Sequence, residues 1–358
     1  MTSEEKSAIV GSPNDRVTIV TDTHVGTISR RVPLQLLQAD QQVTGVYRIA
    51  RCLQRVSRNN NSYLLTELFD GESSIRCYGW TPEFLWALTL AEGTLVTAVF
   101  VTYEYEGALR GRLCDIGVSE TTSPEDVIAT LPPALCPLLG VVGRLRSVVW
   151  EIREPLLREF VARAFCDYAL AKRYFRVPAS FDDHHARPGG HAEHALEMAL
   201  DASRVLTLSP MNRDLAIIHA IFHDVGKVDT HDHTPRSREL FRMVNHEALT
   251  MYLMAEPLRW LEAAWPDGAR SLIVGWAPAW ASNGRKDQPV IYPPGELVRG
   301  LDRTSRASSM LRDHARAEGG VTELTRQRAI WTPSPPSTES RREGEVQAQP
   351  ADAKPTSR

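Results

Sequence analysis

The sequence lacks the features that would direct it to a membrane or to an oxidising compartment. No apolar run approaches the roughly 18 residues of a membrane span. The opening stretch, MTSEEKSAIVGSPNDR, has no apolar core of the secretory-signal kind. A soluble, cytoplasmic protein without membrane partners is therefore expected. Cysteine is scarce and odd in number, five in 358 residues, and no CxxC pair occurs, so neither a disulfide framework nor a zinc knuckle is indicated. Cys52, Cys77, Cys114, Cys136 and Cys166 read as core residues. An excess of positive charge is also missing: 41 basic against 44 acidic side chains leave a net charge of -3. The molecule as a whole is thus no polycation, and any nucleic-acid contact must be local. Residues 33 to 120 carry seven arginines, no lysine and ten acids, again net -3, which argues against strong non-specific binding there. No internal repeat is visible.

What the chain does contain is enough apolar residue, 42% of the total, for two domains with cores of their own. Residues 1–32 show no sustained periodicity and read as a loose N-terminal arm. Five strand-like runs follow: 43–52, 62–69, 73–80, 94–105 and 108–118. Turn signals at Arg58-Asn59-Asn60-Asn61, Asp70-Gly71-Glu72 and Glu106-Gly107 separate them. Five short strands in residues 33–120 suit a small OB-like barrel. A proline-punctuated linker spans 121–143, and helical spacing fills 144–325. In 144–175 the apolar residues recur three and four apart, predicting one amphipathic helix that Pro155 can kink. From 331 to 358 five prolines and few large apolar residues predict a disordered tail. The fold class is α+β multidomain, a small β-barrel followed by an all-α domain.

Six of the eleven histidines lie between positions 184 and 223. One cluster, HHARPGGHAEHALEMAL, crosses a Pro-Gly-Gly turn into the helix that carries His194. The other, LAIIHAIFHDVGK, is an apolar helix whose His219 and His223 share a face, with Asp224 next and Gly226 closing it. His219 reads as a core residue. An adjacent His and Asp at a helix end can reach a common cation. His194 can supply a third ligand, and Asp302, within an apparent helix, a fourth. Such mixed nitrogen and oxygen ligation suits one divalent ion among Mn, Mg, Co, Fe, Ni and Zn. An ion held in this way acidifies its water and neutralises phosphate oxygens, which fits phosphoester hydrolysis.

The order first His, His-Asp pair, distal Asp, here His194, His223-Asp224 and Asp302, resembles the HD superfamily of metal-dependent phosphohydrolases. Within it, the β region GVYRIARCLQRVSRNNNSYLLTELFDGESSIRCYGW followed by VPASFDDHHARPGGHAEHALEMA and NRDLAIIHAIFHDVGKVD resembles the YhaM-type 3'-to-5' exoribonucleases. These join an OB-fold to an HD domain. The segment VPASFDDHHARPGGHAEH is similar as well to the HD region of TraI-like proteins of conjugative elements. The exoribonuclease resemblance implies a later His-His pair, but the corresponding SLIVGWAPAW carries Gly275 and Trp276. A single metal ion is therefore expected, with His246 as a possible additional ligand.

The resemblance implies hydrolysis at the metal, with Asp224 and Lys227 as catalytic residues, Lys227 meeting a phosphate oxygen. His184, His185 and Arg187 are placed to approach substrate phosphates, and the two histidines are further additions to the site. His191 stands where these families carry an apolar residue. The β domain would bind single-stranded nucleic acid, RNA more than DNA, through Tyr47, Tyr63, Tyr78 and Trp80, with Arg48, Arg51, Arg55 and Arg58 nearby. Two other functions stay open, a small-nucleotide phosphohydrolase and a TraI-like transfer factor with a structural metal. A homo-oligomer also stays open.

Overall fold

The computed structural model describes residues 18–21, 32–119, 123–277, 291–314, 320–325 and 328–332. The tail beyond 332 and most of the N-terminal arm lie outside them. Within the arm, Thr18–Thr21 forms strand β1, parallel to Gln41–Thr44, so this stretch is not wholly loose.

The alternating residues of the β region form β2 (Gln41–Val56), β3 (Ser62–Phe69), β4 (Ser74–Gly79), β5 (Leu95–Tyr105) and β6 (Ala108–Val118). Neighbours run β2-β3-β4-β6-β5, and β5 pairs back onto β2 to close a five-stranded barrel. Within the barrel all pairings are antiparallel except β4 with β6. Closure depends on the length of β2. Gln42–Arg48 pairs with β5, and a register shift between Ile49 and Arg51 turns the rest of the strand onto β3. Val43, Ile49, Leu64, Leu68, Ile75, Val96 and Phe100 fill the interior. Tyr47 joins them, fully buried against Phe100 with its hydroxyl donating to Val32 O, so it cannot be the stacking platform expected for it. Of the cysteines, Cys114 and Cys166 are exposed rather than core residues.

The region read as a linker is part of the helical domain. Ser123 caps helix α1 (Pro124–Ala129), and Val127, Ile128, Leu131 and Leu135 enter the helical core. The predicted single helix over 144–175 is instead α2 (Val141–Glu151), α3 (Pro155–Cys166) and α4 (Tyr168–Tyr174). Pro155 takes the first turn of α3, where its missing N–H costs nothing, and Asp214 Oδ2 accepts the freed N–H groups of Arg153 and Glu154 at 2.8 and 2.9 Å. Then come α5 (Gly190–Ser203), α6 (Pro210–Phe222), α7 (Pro235–Met243), α8 (His246–Leu253), α9 (Ala255–Ala264), α10 (Pro266–Trp276) and α11 (Pro293–His314). Helices α5, α6 and α11 pack on one another and bring together the segments that carry the histidines and Asp302. After α11 the chain is not helical to 325 as expected. Gly320–Thr325 (β7) and Arg328–Thr332 (β8) pair antiparallel.

Arg48 ties the barrel to the helices. Its side chain is 1% exposed, and it donates from Nε to Thr130 O (3.1 Å), from Nη1 to Gly93 O (2.7 Å) and from Nη2 to Val127 O (2.9 Å). The guanidinium also lies 5.2 Å from the centre of the Tyr168 ring. Burial pushes its pKa down to about 10, still well above neutrality, so the charge persists. This residue is thus structural rather than part of an exposed basic groove. Arg48→Met would take a charged donor away from three buried carbonyls and is expected to cost about 3 kcal/mol. A urea titration of the full chain reads this directly, and an unchanged midpoint would contradict the anchoring role.

Candidate metal centre and nucleic-acid interface

Gly189, in a left-handed conformation at φ 83°, starts α5 immediately after the Pro-Gly-Gly turn. His194 is thereby fully buried one turn into the helix. Its Nδ1 stands 3.0 Å from Ser305 Oγ, and that hydroxyl donates to Glu197 Oε2 at 2.7 Å. The hydroxyl proton is therefore committed, and Ser305 can only accept from His194 Nδ1–H. The lone pair of His194 is left on Nε2, 3.1 Å from Asp302 Oδ1. Burial pushes the His194 pKa down to about 4, against the opposing pull of Asp302, so the ring is neutral at pH 7. A nitrogen lone pair then faces a carboxylate oxygen with no proton between them, an arrangement that a cation completes.

His223 repeats the pattern. It caps α6, and its Nδ1 lies 2.9 Å from Ala220 O, a pure acceptor, so Nδ1 carries the proton and Nε2 points at Asp224 Oδ2, 3.2 Å away. Burial opposes charge on this ring, but Asp224 outweighs it and raises the pKa, so in the metal-free chain a proton can bridge the pair. Asp224 has a basic partner on each of its oxygens. Lys227 Nζ lies 2.6 Å from Oδ2 and His246 Nε2 3.0 Å from Oδ1. Despite burial, His223 and Lys227 hold its carboxyl well below the usual range. Gly226 is required by this packing, because a Cβ there would lie 2.0 Å from His246 O.

Among the described residues, the side chains that could hold an ion fall into two groups joined at His194. His194, His223 and Asp224 form one and His184, His194 and Asp302 the other, the facing ligand atoms within 4.8 Å of one another in each. The remaining predicted residues are placed differently from expectation. Lys227 is nearly buried and turned onto Asp224 rather than outward. His184 and His185 are buried at 3% and 1% exposure, not on an open phosphate-facing loop. His185 bridges Glu193 (3.0 Å from Nδ1) and Glu197 (3.3 Å from Nε2), and Arg187 Nη2 is engaged with Glu193 at 2.7 Å. His246 reaches the site through Asp224. His191 is an apolar-site histidine, fully buried edge-on to Tyr174 at 4.8 Å. Gly275 and Trp276 close around His219. A Cβ at 275 would lie 1.9 Å from the His219 ring, and the Trp276 ring stands edge-on to it at 5.7 Å.

Glu193, Glu197 and Ser305 carried no separate signal in the sequence. Glu193 and Glu197 are one helical turn apart beside His194, and Ser305 follows Asp302 by three. Those spacings were the available clue to an outer ring of hydrogen bonds.

On the barrel, Tyr63, Tyr78 and Trp80 form a cluster of rings. Centroids lie 4.6 Å apart for Tyr63–Trp80 and 5.9 Å for Tyr78–Trp80, and Trp80 is 38% exposed. Register puts more residues on the same outward face: Arg51 opposite Glu67, Arg55 opposite Tyr63, Arg76 opposite Arg110 and Tyr78 opposite Arg112. Arg51, Leu53, Arg55, Leu65, Glu67 and Arg76 line a groove of about 130 Å³. Five arginines against one glutamate make this face locally positive although the domain is net acidic. Arg58 is exposed in the β2–β3 turn.

Residues 191–267 match the HD domain family model, and HD domains are metal-dependent phosphohydrolase modules. His194, His223 and Asp224 fall inside the matched segment, whereas His184 and Asp302 fall outside it. No curated protein matches the chain. Among solved structures, the mitochondrial single-stranded DNA binding protein Rim1 of S. cerevisiae is 22% identical, covering 23% of this chain and 96% of its own at a TM-score of 0.21. The second OB-fold domain of replication protein A from Methanococcus maripaludis is 17% identical, covering 25% and 96% at 0.21. An aspartyl-tRNA synthetase described from Leishmania major Friedlin is 16% identical, covering 40% and 35% at 0.23.

Burial makes the metal-free chain sensitive to acid. It lowers the pKa of His184, His191, His194, His219 and His231, while carboxylate partners overcome burial to raise those of His185 and His223. A depressed histidine contributes stability that is complete above its unfolded pKa, about 6.5. That contribution is lost as pH falls towards the folded value, about 4 for His194 and about 3 for His219. The two raised groups act in the opposite sense, but the five outnumber them, so the unfolded chain binds more protons. With a chelator present, the urea midpoint should be lower at pH 5.5 than at pH 7. An equal or higher midpoint would contradict the neutral burial of these rings.

Proposed function

We propose that this chain is a metal-dependent phosphodiesterase acting on single-stranded nucleic acid, RNA in preference to DNA, and shortening it from the 3' end. The observation that carries the phosphodiesterase reading is the pair of imidazole nitrogens, His194 Nε2 and His223 Nε2, each set against a carboxylate oxygen at 3.1 and 3.2 Å and each fixed by a hydrogen bond at Nδ1. Two imidazoles and the carboxylates of Asp224 and Asp302 fit a divalent ion of the first transition row. When bound, such an ion supplies a Lewis acid for phosphate oxygens and acidifies water at neutral pH.

The rest of the chemistry belongs to the chain. Ser305, Glu197 and Ala220 O hold the two imidazoles in the tautomer that presents Nε2. Lys227 neutralises Asp224 and, once that carboxylate is otherwise engaged, is the ammonium available to a phosphate oxygen. His246, hydrogen-bonded to Asp224 and half-buried, is the imidazole best placed to hold or release a proton at the rim of the site. The outward barrel face, with its ring cluster and arginines, supports the single-strand reading, since stacking and backbone charge together need no base-specific contact. Preference for RNA and 3'-to-5' polarity rest on the resemblance to the YhaM-type enzymes.

With 5'-labelled single-stranded RNA and its DNA counterpart, manganese should produce a ladder of shortened labelled products, more from RNA. The His223→Ala, Asp224→Ala double variant should produce none. No product from either polymer, with turnover of free nucleotides instead, would make the protein a nucleotide phosphohydrolase. Separately, Trp80→Ala should weaken single-strand binding by the full chain by about 1–3 kcal/mol, or roughly 5- to 150-fold. Unchanged binding would remove the barrel face from the reading.

A further inference from the structure

His184 is 3% exposed, yet neither of its ring nitrogens has a hydrogen-bond partner among the described residues. Asp183 Oδ2 stands 3.6 Å from Nδ1, beyond hydrogen-bond reach. Burying an imidazole with both nitrogens unanswered is destabilising, so the native fold keeps it against a cost.

The segment that carries this ring is built to hold it. The Ser180 hydroxyl donates to His184 O at 2.7 Å, Ala179 N–H to His185 O at 3.2 Å, and His185 N–H to Ser309 Oγ at 3.1 Å. His185 takes a positive φ of 46°, and Gly190 passes so close beneath it that a Cβ there would lie 2.0 Å from His185 O. The residue is thus pinned from α5 and α11 together. Its ring lies 5.2 Å from that of His194, steeply inclined, and one of its nitrogens comes within 4.8 Å of the ligand atoms of both His194 and Asp302.

We propose that His184 is a fifth protein ligand of the ion held by His194, His223, Asp224 and Asp302, an inference that rests on the metal-centre reading above. The ion answers the unpartnered nitrogen and joins the two ligand groups through their shared member, His194. The class of metal follows. Three imidazole nitrogens and two carboxylates nearly fill an octahedral shell and leave one position for water or substrate. Four-coordinate zinc could not use them all, so the donor set selects manganese, iron, cobalt or nickel.

The test uses the full chain, stripped with a chelator and titrated with Mn²⁺ by calorimetry and with Co²⁺ by visible absorption. His184→Phe keeps the ring shape without nitrogens. It is expected to weaken Mn²⁺ binding roughly tenfold or more and to change the Co²⁺ bands. The metal-free urea midpoint should stay level or rise, because an unsatisfied polar ring has been removed. Affinity and bands equal to those of the parent would overturn the proposal, whatever the midpoint does. If midpoint and affinity both fall, the Co²⁺ bands of His184→Gln decide: altered bands support ligation, and parental bands overturn it. The His223→Ala, Asp224→Ala variant separates the two readings. If it binds ions as tightly as the parent, the metal centre itself is wrong; if it loses them while His184→Phe does not, only the role of His184 is.

Discussion

The rest of the helical domain is arranged around one unfavourable contact, a neutral histidine nitrogen facing a carboxylate oxygen at 3.1 Å between His194 and Asp302. With Ser305 taking the Nδ1–H of His194, both facing atoms are acceptors. Helices α5 and α11 hold them together because each helix buries its own apolar face against α6. Packing energy thus holds these two groups face to face. The same logic explains the outer ring. Glu193 and Glu197 sit against His185 and raise its pKa against the effect of burial, and Glu197 takes the Ser305 proton that would otherwise satisfy His194. Removing any one of these groups changes what the next can donate.

The two domains are joined by apolar and polar contacts together: Val46 and Leu95 of the barrel pack into the helical core, and a buried guanidinium stands beside them. Arg48 lies on the strand that closes the barrel, and its partners Thr130 and Val127 belong to the segment that enters the helical core. A buried guanidinium with three carbonyl acceptors tolerates little displacement, so it fixes orientation as well as proximity.

The barrel was legible in the sequence because period-two alternation and Asn- and Gly-rich turns mark strands whatever they pair with. All five strands fall within a few residues of their expected bounds. Alternation does not say which face is inside a closed barrel, and for that reason Tyr47 and Arg48 were misread while Tyr63, Tyr78 and Trp80 were placed on the surface. The His-Asp pair was readable from adjacency on one helix end. The burial of His184 and His185 was not, since a run of polar residues beside prolines and glycines looks solvated until α11, more than a hundred residues later, closes over it. Ser305 and Glu197 were hidden for the same reason, each ordinary on its own helix and informative only across the gap. Of the two breaks that split 144–175 into three helices, the first turned on the distant Asp214, whose carboxylate caps it, and the second on Asp167, which caps α4.

The Arg48 anchor also governs how the protein can be dissected. A barrel fragment ending near residue 120, the boundary that composition suggests, would retain the guanidinium and lose the carbonyls of Val127 and Thr130. It would carry a bare cation on a surface evolved to be dry, and its solubility and folding would report that wound rather than the properties of the barrel. A faithful fragment has to keep α1 and Thr130 with the strands, so the natural seam between the two halves lies inside the helical core rather than ahead of it.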